Sequence, residues 1–121
     1  MAVILVVEDD IFIREMAVLM MGDWGHHILS ASDVPEALIH LKAPHHIDAL
    51  FTDVNLKAEI HGGCDVARMA ILLRPGLRVL YTTATREPEK MQARFAAGTH
   101  FLPKPYTEQQ LGSSVQSLLA A

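Results

Sequence analysis

The chain has 121 residues, of which 50% are hydrophobic and 20% are charged, and its formal net charge is −4 at pH 7. This length suits a single domain with its own core, which we expect to span residues 1–121. The negative net charge and the lack of clustered basic residues argue against direct binding to nucleic acid. No apolar stretch is long enough for a membrane span and no basic, cleavable leader is present, so we expect a cytoplasmic protein without membrane contact. The single cysteine, Cys64, agrees with a reducing compartment.

The first predicted strand, 3–7, runs into an acidic segment, and a predicted helix follows over 11–21. We expect Asp10 to cap this helix and Gly22 to end it. The apolar side chains at the spacing of one helix face are Phe12, Met16, Leu19 and Met20. Because the other faces are also largely apolar, the helix is either deeply buried or offers a contact surface. Together with a last helix poor in charge, this indicates a homodimer or a face for docking a partner.

The rest of the chain alternates between predicted strands and helices. Short apolar runs predict strands at 27–31, 49–53, 78–82 and 99–102. Helical patterns follow the capping residue Asp33, run from Cys64 to Arg74, begin at Pro88, and follow the capping residue Thr107. Five strands alternating with five helices predict an α/β fold, in which a parallel sheet is covered on both faces.

Polar side chains stand where the predicted strands end. They are Glu8, Asp9, Asp53, Thr83 and Lys104. In an open parallel sheet these carboxyl ends meet at one edge, where three carboxylates would hold either protons or a cation. Oxygen ligands without histidine or thiol favour Mg²⁺, and an aspartate beside such a metal is suited to accept a phosphoryl group. We therefore expect Asp53 to be the nucleophile.

Four ordered motifs resemble the receiver domain of bacterial two-component response regulators. They are the run 4–10 with its acids, the isolated Asp53, the pair Thr83-Ala84 and the pair Lys104-Pro105. The resemblance covers essentially the whole chain and implies a flavodoxin-like (βα)5 sheet in strand order 2-1-3-4-5, the order of the chemotaxis receiver of this family. It also implies phosphorylation of Asp53 by a phosphohistidine on a sensor histidine kinase or histidine phosphotransfer protein. The phosphorylated form would then act by docking to a downstream protein.

The same resemblance implies the roles of individual residues. Mg²⁺ would be held by Glu8, Asp9, Asp53 and the main-chain carbonyl of Asn55. The phosphoryl group would be bound by Thr83, Ala84 and Lys104. Thr83 and Phe101 would form the switch pair, and Pro105 would follow a cis peptide bond.

Two features depart from the family. Receivers commonly have proline four residues after the phosphoacceptor, where this chain has Lys57, and the segment 57–63 is longer and less regular than the usual loop. Phosphorylation lifetime and partner choice therefore do not carry over from the family. Phe101 lacks the hydroxyl of the commoner tyrosine, so any switch bond made by that hydroxyl is excluded.

The leading hypothesis is a stand-alone receiver, which is not an enzyme beyond its own phosphorylation and dephosphorylation. A second hypothesis is a Mg²⁺-dependent phosphohydrolase that uses the same aspartate, as haloacid-dehalogenase enzymes do. Those enzymes generally carry a second aspartate two residues after the nucleophile, where this chain has Asn55. A third hypothesis, a degenerate receiver that only binds proteins, is disfavoured by the complete acid set. The seven histidines show no metal-ligand spacing, and we expect them in loops and on the surface.

Overall fold

The computed structural model describes residues 2–54, 56, 62–83 and 100–120. Within these ranges the strands are β1 (Val3–Val7), β2 (His27–Ala31), β3 (Ala49–Asp53), β4 (Arg78–Thr83) and β5 (His100–Pro103). The helices are α1 (Ile11–Asp23), α2 (Val34–Lys42), α3 (Gly62–Leu73) and α4 (Glu108–Ala120). None of these helices combines the length and the apolar character needed to cross a bilayer. The helix predicted from Pro88 onward lies outside the described residues.

The five strands form one parallel sheet in the order β2-β1-β3-β4-β5. This confirms the predicted α/β fold and strand order. The strand that ends in Asp53 lies in the middle of the sheet, paired with β1 on one side and β4 on the other. Because all strands are parallel, their carboxyl ends meet at a single edge.

Two core layers cover the sheet, and each strand contributes alternate residues to them. The layer that includes α2 and α3 contains Leu5, Val7, Leu50, Tyr81, Ala37, Leu41, Val66 and Ala70. The layer that includes α1 and α4 contains Ile4, Val6, Phe51, Leu80, Leu102, Ala17, Met21 and Leu111. Burial on both faces explains why the strands are apolar throughout.

The helix caps agree with the sequence pattern. The Asp10 carboxylate accepts hydrogen bonds from the backbone N–H groups of Phe12 and Ile13, at 2.9 and 3.1 Å. Thr107 and Gln110 form a reciprocal capping box at the start of α4, with bonds of 2.8 and 3.1 Å. Each cap supplies acceptors to backbone donors that have no partner within the helix.

Some helix boundaries differ from the prediction. Gly22 lies inside α1, which continues to Asp23, and the chain turns at Gly25 with φ of 90°. Glycine adopts this left-handed conformation without the clash that a Cβ atom would cause. At another boundary, α3 begins at Gly62 and not at Cys64.

The predicted apolar face of α1 is not the buried one. Phe12 is 81% exposed and Leu19 is 61% exposed, while the buried side chains are Ala17 and Met21. These two are four residues apart and share one side of the helix. Spacing alone was ambiguous because every face of α1 carries apolar residues. In α3 the buried side chains are small, because Val66, Ala67 and Ala70 are buried while Met69 and Leu73 are exposed.

Candidate functional site

Three carboxylates converge at the carboxyl edge of the sheet. Glu8 and Asp9 directly follow β1, and Asp53 ends the adjacent strand β3. One oxygen from each residue lies within 4.8 Å of the others. Glu8 and Asp53 are buried, and Asp9 is half-buried. The pairing of β1 with β3 thus brings together acids that are distant in the sequence.

Lys104 joins two of these acids. Its Nζ donates a hydrogen bond of 2.5 Å to Glu8 Oε1 and another of 2.9 Å to Asp53 Oδ2. Its backbone N–H donates to the carbonyl of Thr83 at 2.9 Å, which holds the residue against the end of β4. The peptide bond between Lys104 and Pro105 is cis, the geometry that the resemblance implies.

Burial sets the electrostatics of the cluster. Desolvation raises the pKa of Glu8 to about 7; the neighbouring Asp53 charge adds to this shift, and the hydrogen bond from Lys104 opposes it. Burial by itself would lower the pKa of Lys104, but its hydrogen bonds to Glu8 and Asp53 outweigh that effect and raise it. The site therefore keeps its lysine charged and still carries more acids than bases.

This donor set fits a hard divalent cation. Glu8, Asp9 and Asp53 offer carboxylate oxygens at close range, and within the described ranges no histidine or cysteine joins them. Mg²⁺ takes oxygen ligands and uses few protein carboxylates, completing its shell with water and phosphate oxygens. The predicted fourth ligand, the carbonyl of Asn55, lies outside the described residues.

The predicted switch residues occupy neighbouring strands. Thr83 is the last residue of β4 and is fully buried. Phe101 pairs in register with Tyr81 and packs against the core layer of α2 and α3. The roles of Thr83 and Phe101 in phosphoryl binding and switching stay predictions. Ala84, predicted to bind the phosphoryl group, lies outside the described part of the chain.

Two residues near the site, Tyr106 and Thr82, were not identified from the sequence. The Tyr106 ring packs edge-on against Phe51, with ring centroids 6.0 Å apart. Burial raises the pKa of Tyr106 to about 12; the Lys104 charge opposes this shift and the carboxylates add to it. Thr82 pairs in register with Asp53, and its buried hydroxyl has no hydrogen-bond partner within the described residues. The sequence could have indicated them only through their positions, because Thr82 directly precedes the Thr83-Ala84 pair and Tyr106 directly follows the Lys104-Pro105 pair.

An apolar groove of about 730 Å³ reaches the site from α1. Its lining is Phe12, Ile13, Met16, Met20, Lys104, Pro105 and Tyr106. We call this surface the α1 groove. Lys104 connects the groove to the acid cluster, because its ammonium lies on Glu8 and Asp53.

The sequence of the chain matches a known protein family. The family model described as the response regulator receiver domain matches residues 4–116. The chain belongs to this family. Comparison of this receiver with curated protein sequences gave no significant match.

Solved structures with a similar fold include other receivers. A response regulator receiver protein from Sinorhizobium medicae is 25% identical with a TM-score of 0.90, over 99% of this chain and 95% of that chain. The chemotaxis response regulator CheY4 of Vibrio cholerae is 28% identical with a TM-score of 0.86, over 98% of this chain and 99% of that chain. NtrX from Brucella abortus is 24% identical with a TM-score of 0.86, over 98% of this chain and 27% of that chain, and this likeness shows the fold alone.

Proposed function

We propose that this receiver is the phosphoacceptor of a cytoplasmic two-component phosphorelay. In this proposal Asp53 takes a phosphoryl group from a phosphohistidine on a histidine kinase or histidine phosphotransfer protein. The observation that carries the proposal is the position of Asp53 within one cluster. One carboxylate oxygen of Asp53 lies within 4.8 Å of a carboxylate oxygen of Glu8 and of Asp9, and the Lys104 Nζ lies 2.9 Å from Asp53 Oδ2. Membership of the receiver family supports the same donor and acceptor.

In the transfer, an Asp53 carboxylate oxygen forms a bond to phosphorus while the bond from phosphorus to the donor's histidine nitrogen breaks. That nitrogen keeps the electron pair, and the neutral imidazole remains on the donor. Charge on the transferred group spreads over its equatorial oxygens, so nearby positive charge stabilises the transition state. Lys104 supplies such a charge, and Mg²⁺ held by Glu8, Asp9 and Asp53 would supply a second. The Thr83 hydroxyl is proposed to donate a hydrogen bond to a phosphoryl oxygen.

The α1 groove supports docking of the donor protein at this site. A donor must bring its phosphohistidine to Asp53, so it must cover the surface around Lys104. The groove begins at that lysine and continues onto α1, where Phe12 and Leu19 are exposed. Exposed apolar patches of this kind are typical of protein contact surfaces. A homodimer formed through α1 would compete with the donor for this surface.

The experiment that tests the function uses Mg²⁺ and a small phosphodonor. We expect acetyl phosphate to form an acid-labile adduct on Asp53, detected by intact mass and peptide mapping. Asp53→Asn removes the acceptor and should abolish the adduct, while Asp23→Asn, at the exposed end of α1, should form it like the wild type. Absence of an adduct on the wild-type protein overturns the proposal. Sustained turnover of a phosphate ester would instead favour a phosphohydrolase.

A further inference from the structure

Arg14 is a cation near the start of α1, next to the acidic segment that precedes the helix. It is the fourth residue of α1, which begins at Ile11. The N-terminus of a helix carries a partial positive charge, so a cation at this position is repelled by the helix dipole. A contact outside the helix must offset this repulsion.

The guanidinium of Arg14 makes such a contact with the main chain of the acid cluster. Its Nη1 donates a 2.9 Å hydrogen bond to the backbone carbonyl of Glu8, six positions earlier. A bond from a charged donor is stronger than a bond between neutral groups. The bond spans the turn from β1 to α1, and this turn contains Asp9 and Asp10. Arg14 therefore ties the beginning of α1 to the end of β1.

The bonded carbonyl belongs to the peptide unit between Glu8 and Asp9. A peptide unit is planar, so a bond that fixes its oxygen also fixes the direction in which the chain enters Asp9. The backbone N–H of Glu8 is held as well, because it donates to the Ala31 carbonyl at 3.0 Å. The Glu8 side chain accepts a 3.1 Å bond at Oε2 from the backbone N–H of Asp10. Among these contacts, the bond from Arg14 is the one that orients the chain at Asp9.

This restraint acts against the mutual repulsion of the acids. Glu8, Asp9 and Asp53 place carboxylate oxygens within 4.8 Å of one another, and like charges at this range favour a more open turn. Ligands that are held in place before an ion arrives lose less conformational freedom when it binds. The charge of Arg14 has the opposite effect, because a nearby cation repels Mg²⁺. The two effects on Mg²⁺ affinity differ in sign, so an experiment can separate them.

We propose that Arg14 is a positioning residue of the Mg²⁺ site, which fixes the peptide unit between Glu8 and Asp9 so that both carboxylates stay within reach of one cation. The inference rests on the proposed function, because that function assigns the cation to Glu8, Asp9 and Asp53. In this role Arg14 contacts neither the cation nor the phosphoryl group and acts through the main chain. Its orienting effect on Mg²⁺ affinity exceeds its repulsion of the ion.

The test measures Mg²⁺ affinity by calorimetric titration. The neutral variants Arg14→Met and Arg14→Gln should bind Mg²⁺ about fivefold more weakly than the wild type, although each removes a repelling charge. Arg14→Lys keeps a charged donor for the single bond to the Glu8 carbonyl and should stay within about twofold of the wild type. The matched control is Lys42→Met, which removes the same charge from an exposed position on α2 and should also stay within about twofold.

Phosphorylation by acetyl phosphate at increasing Mg²⁺ concentration supplies the second readout. Arg14→Met should need about fivefold more Mg²⁺ to reach half of its maximal rate, and its rate at saturating Mg²⁺ should match the wild type. A residue that contacted the phosphoryl group would instead lower the rate at saturating Mg²⁺. Urea unfolding in a chelator should show one cooperative transition for each variant.

The outcomes distinguish this inference from the proposed function. Equal or tighter Mg²⁺ binding by a folded neutral variant overturns the inference and leaves the proposed function intact, because charge repulsion would then dominate. Equal weakening in Arg14→Lys and Arg14→Met also overturns it, since a charged donor would then not restore the turn. Absence of Mg²⁺ binding by the wild type overturns the inference, and only the additional absence of an adduct with acetyl phosphate overturns the proposed function.

Discussion

Lys104 and Asp53 are 51 positions apart in the sequence, yet the lysine ammonium donates a 2.9 Å hydrogen bond to the aspartate carboxylate. The same ammonium contacts Glu8, 96 positions away, at 2.5 Å. The partly buried ammonium of Lys104 therefore balances two buried carboxylates that lie at the ends of different strands. Removing one member of such a cluster leaves the others without compensation.

Replacement of Lys104 tests this balance. We expect Lys104→Met to lower the free energy of unfolding by about 3 kcal/mol at pH 8 in a chelator, because two carboxylates stay buried without their cation. Urea denaturation followed by circular dichroism measures the change. Lys42→Met, which alters an exposed lysine of α2, should change stability by less than about 0.5 kcal/mol. Equal stability of the two variants would show that the lysine does not balance the acids.

Adjacent acids after β1 should differ in their effect on metal affinity. Asp9 belongs to the carboxylate cluster, whereas Asp10 caps α1 through Phe12 and Ile13. We expect Asp9→Asn to weaken Mg²⁺ binding at least about tenfold, because it removes one anionic ligand. Asp10→Asn should stay within about twofold, since asparagine is an equally good cap. Calorimetric titration with Mg²⁺ measures both constants, and equal losses would argue against the separate roles.

The loss of folding stability at acidic pH should depend on Asp48, which lies at the opposite edge of the sheet. Its carboxylate accepts a 2.8 Å bond from the backbone N–H of Val3 and contacts His46 at 2.6 Å. The Val3 bond is the main cause that holds the Asp48 pKa below its ordinary value of 3.8. The folded state thus binds this proton more weakly than the unfolded state, so the stabilisation is complete above 3.8 and is lost as the pH falls further.

The variant Asp48→Asn keeps an acceptor for Val3 but removes the charge. We expect it to cost about 1 kcal/mol at pH 7 and to make the loss of stability below pH 4 less steep. Urea titrations at several pH values measure the slope, with Asp23→Asn as the exposed control. An unchanged slope in Asp48→Asn would mean that other groups govern acid unfolding.

The α1 groove should affect the rate of phosphotransfer from a protein donor but not the rate from a small-molecule donor. We expect Phe12→Ala to slow phosphotransfer from a histidine phosphotransfer protein at least about tenfold, because the apolar contact is lost. Its rate with acetyl phosphate should match the wild type. The control is Ile39→Ala, which alters an apolar residue of α2 that is 70% exposed. If both variants transfer phosphoryl at the wild-type rate, the donor docks elsewhere.

Much of the fold could be predicted because its signals are local. Apolar runs marked the strands, and the caps at Asp10 and Thr107 marked two helix starts. The buried face of α1 could not be predicted, because hydrophobic periodicity identifies a face only when the other faces are polar. Thr82 could not be identified for a related reason. Threonine is an ordinary strand residue, and only the structure shows that Thr82 is buried and that its hydroxyl has no hydrogen-bond partner within the described ranges.

The sequence by itself determined the strand order, through the family motifs, and the set of acids, base and hydroxyl at the strand ends. These depend on residue identity and spacing along the chain. Only the tertiary structure decided that Lys104 contacts both Glu8 and Asp53 and that Phe12 faces outward. It also decided that Thr82 pairs in register with Asp53 and that its hydroxyl has no hydrogen-bond partner among the residues that the structure describes. Strand register and helix packing control these relationships, and both arise from contacts between residues far apart in the sequence.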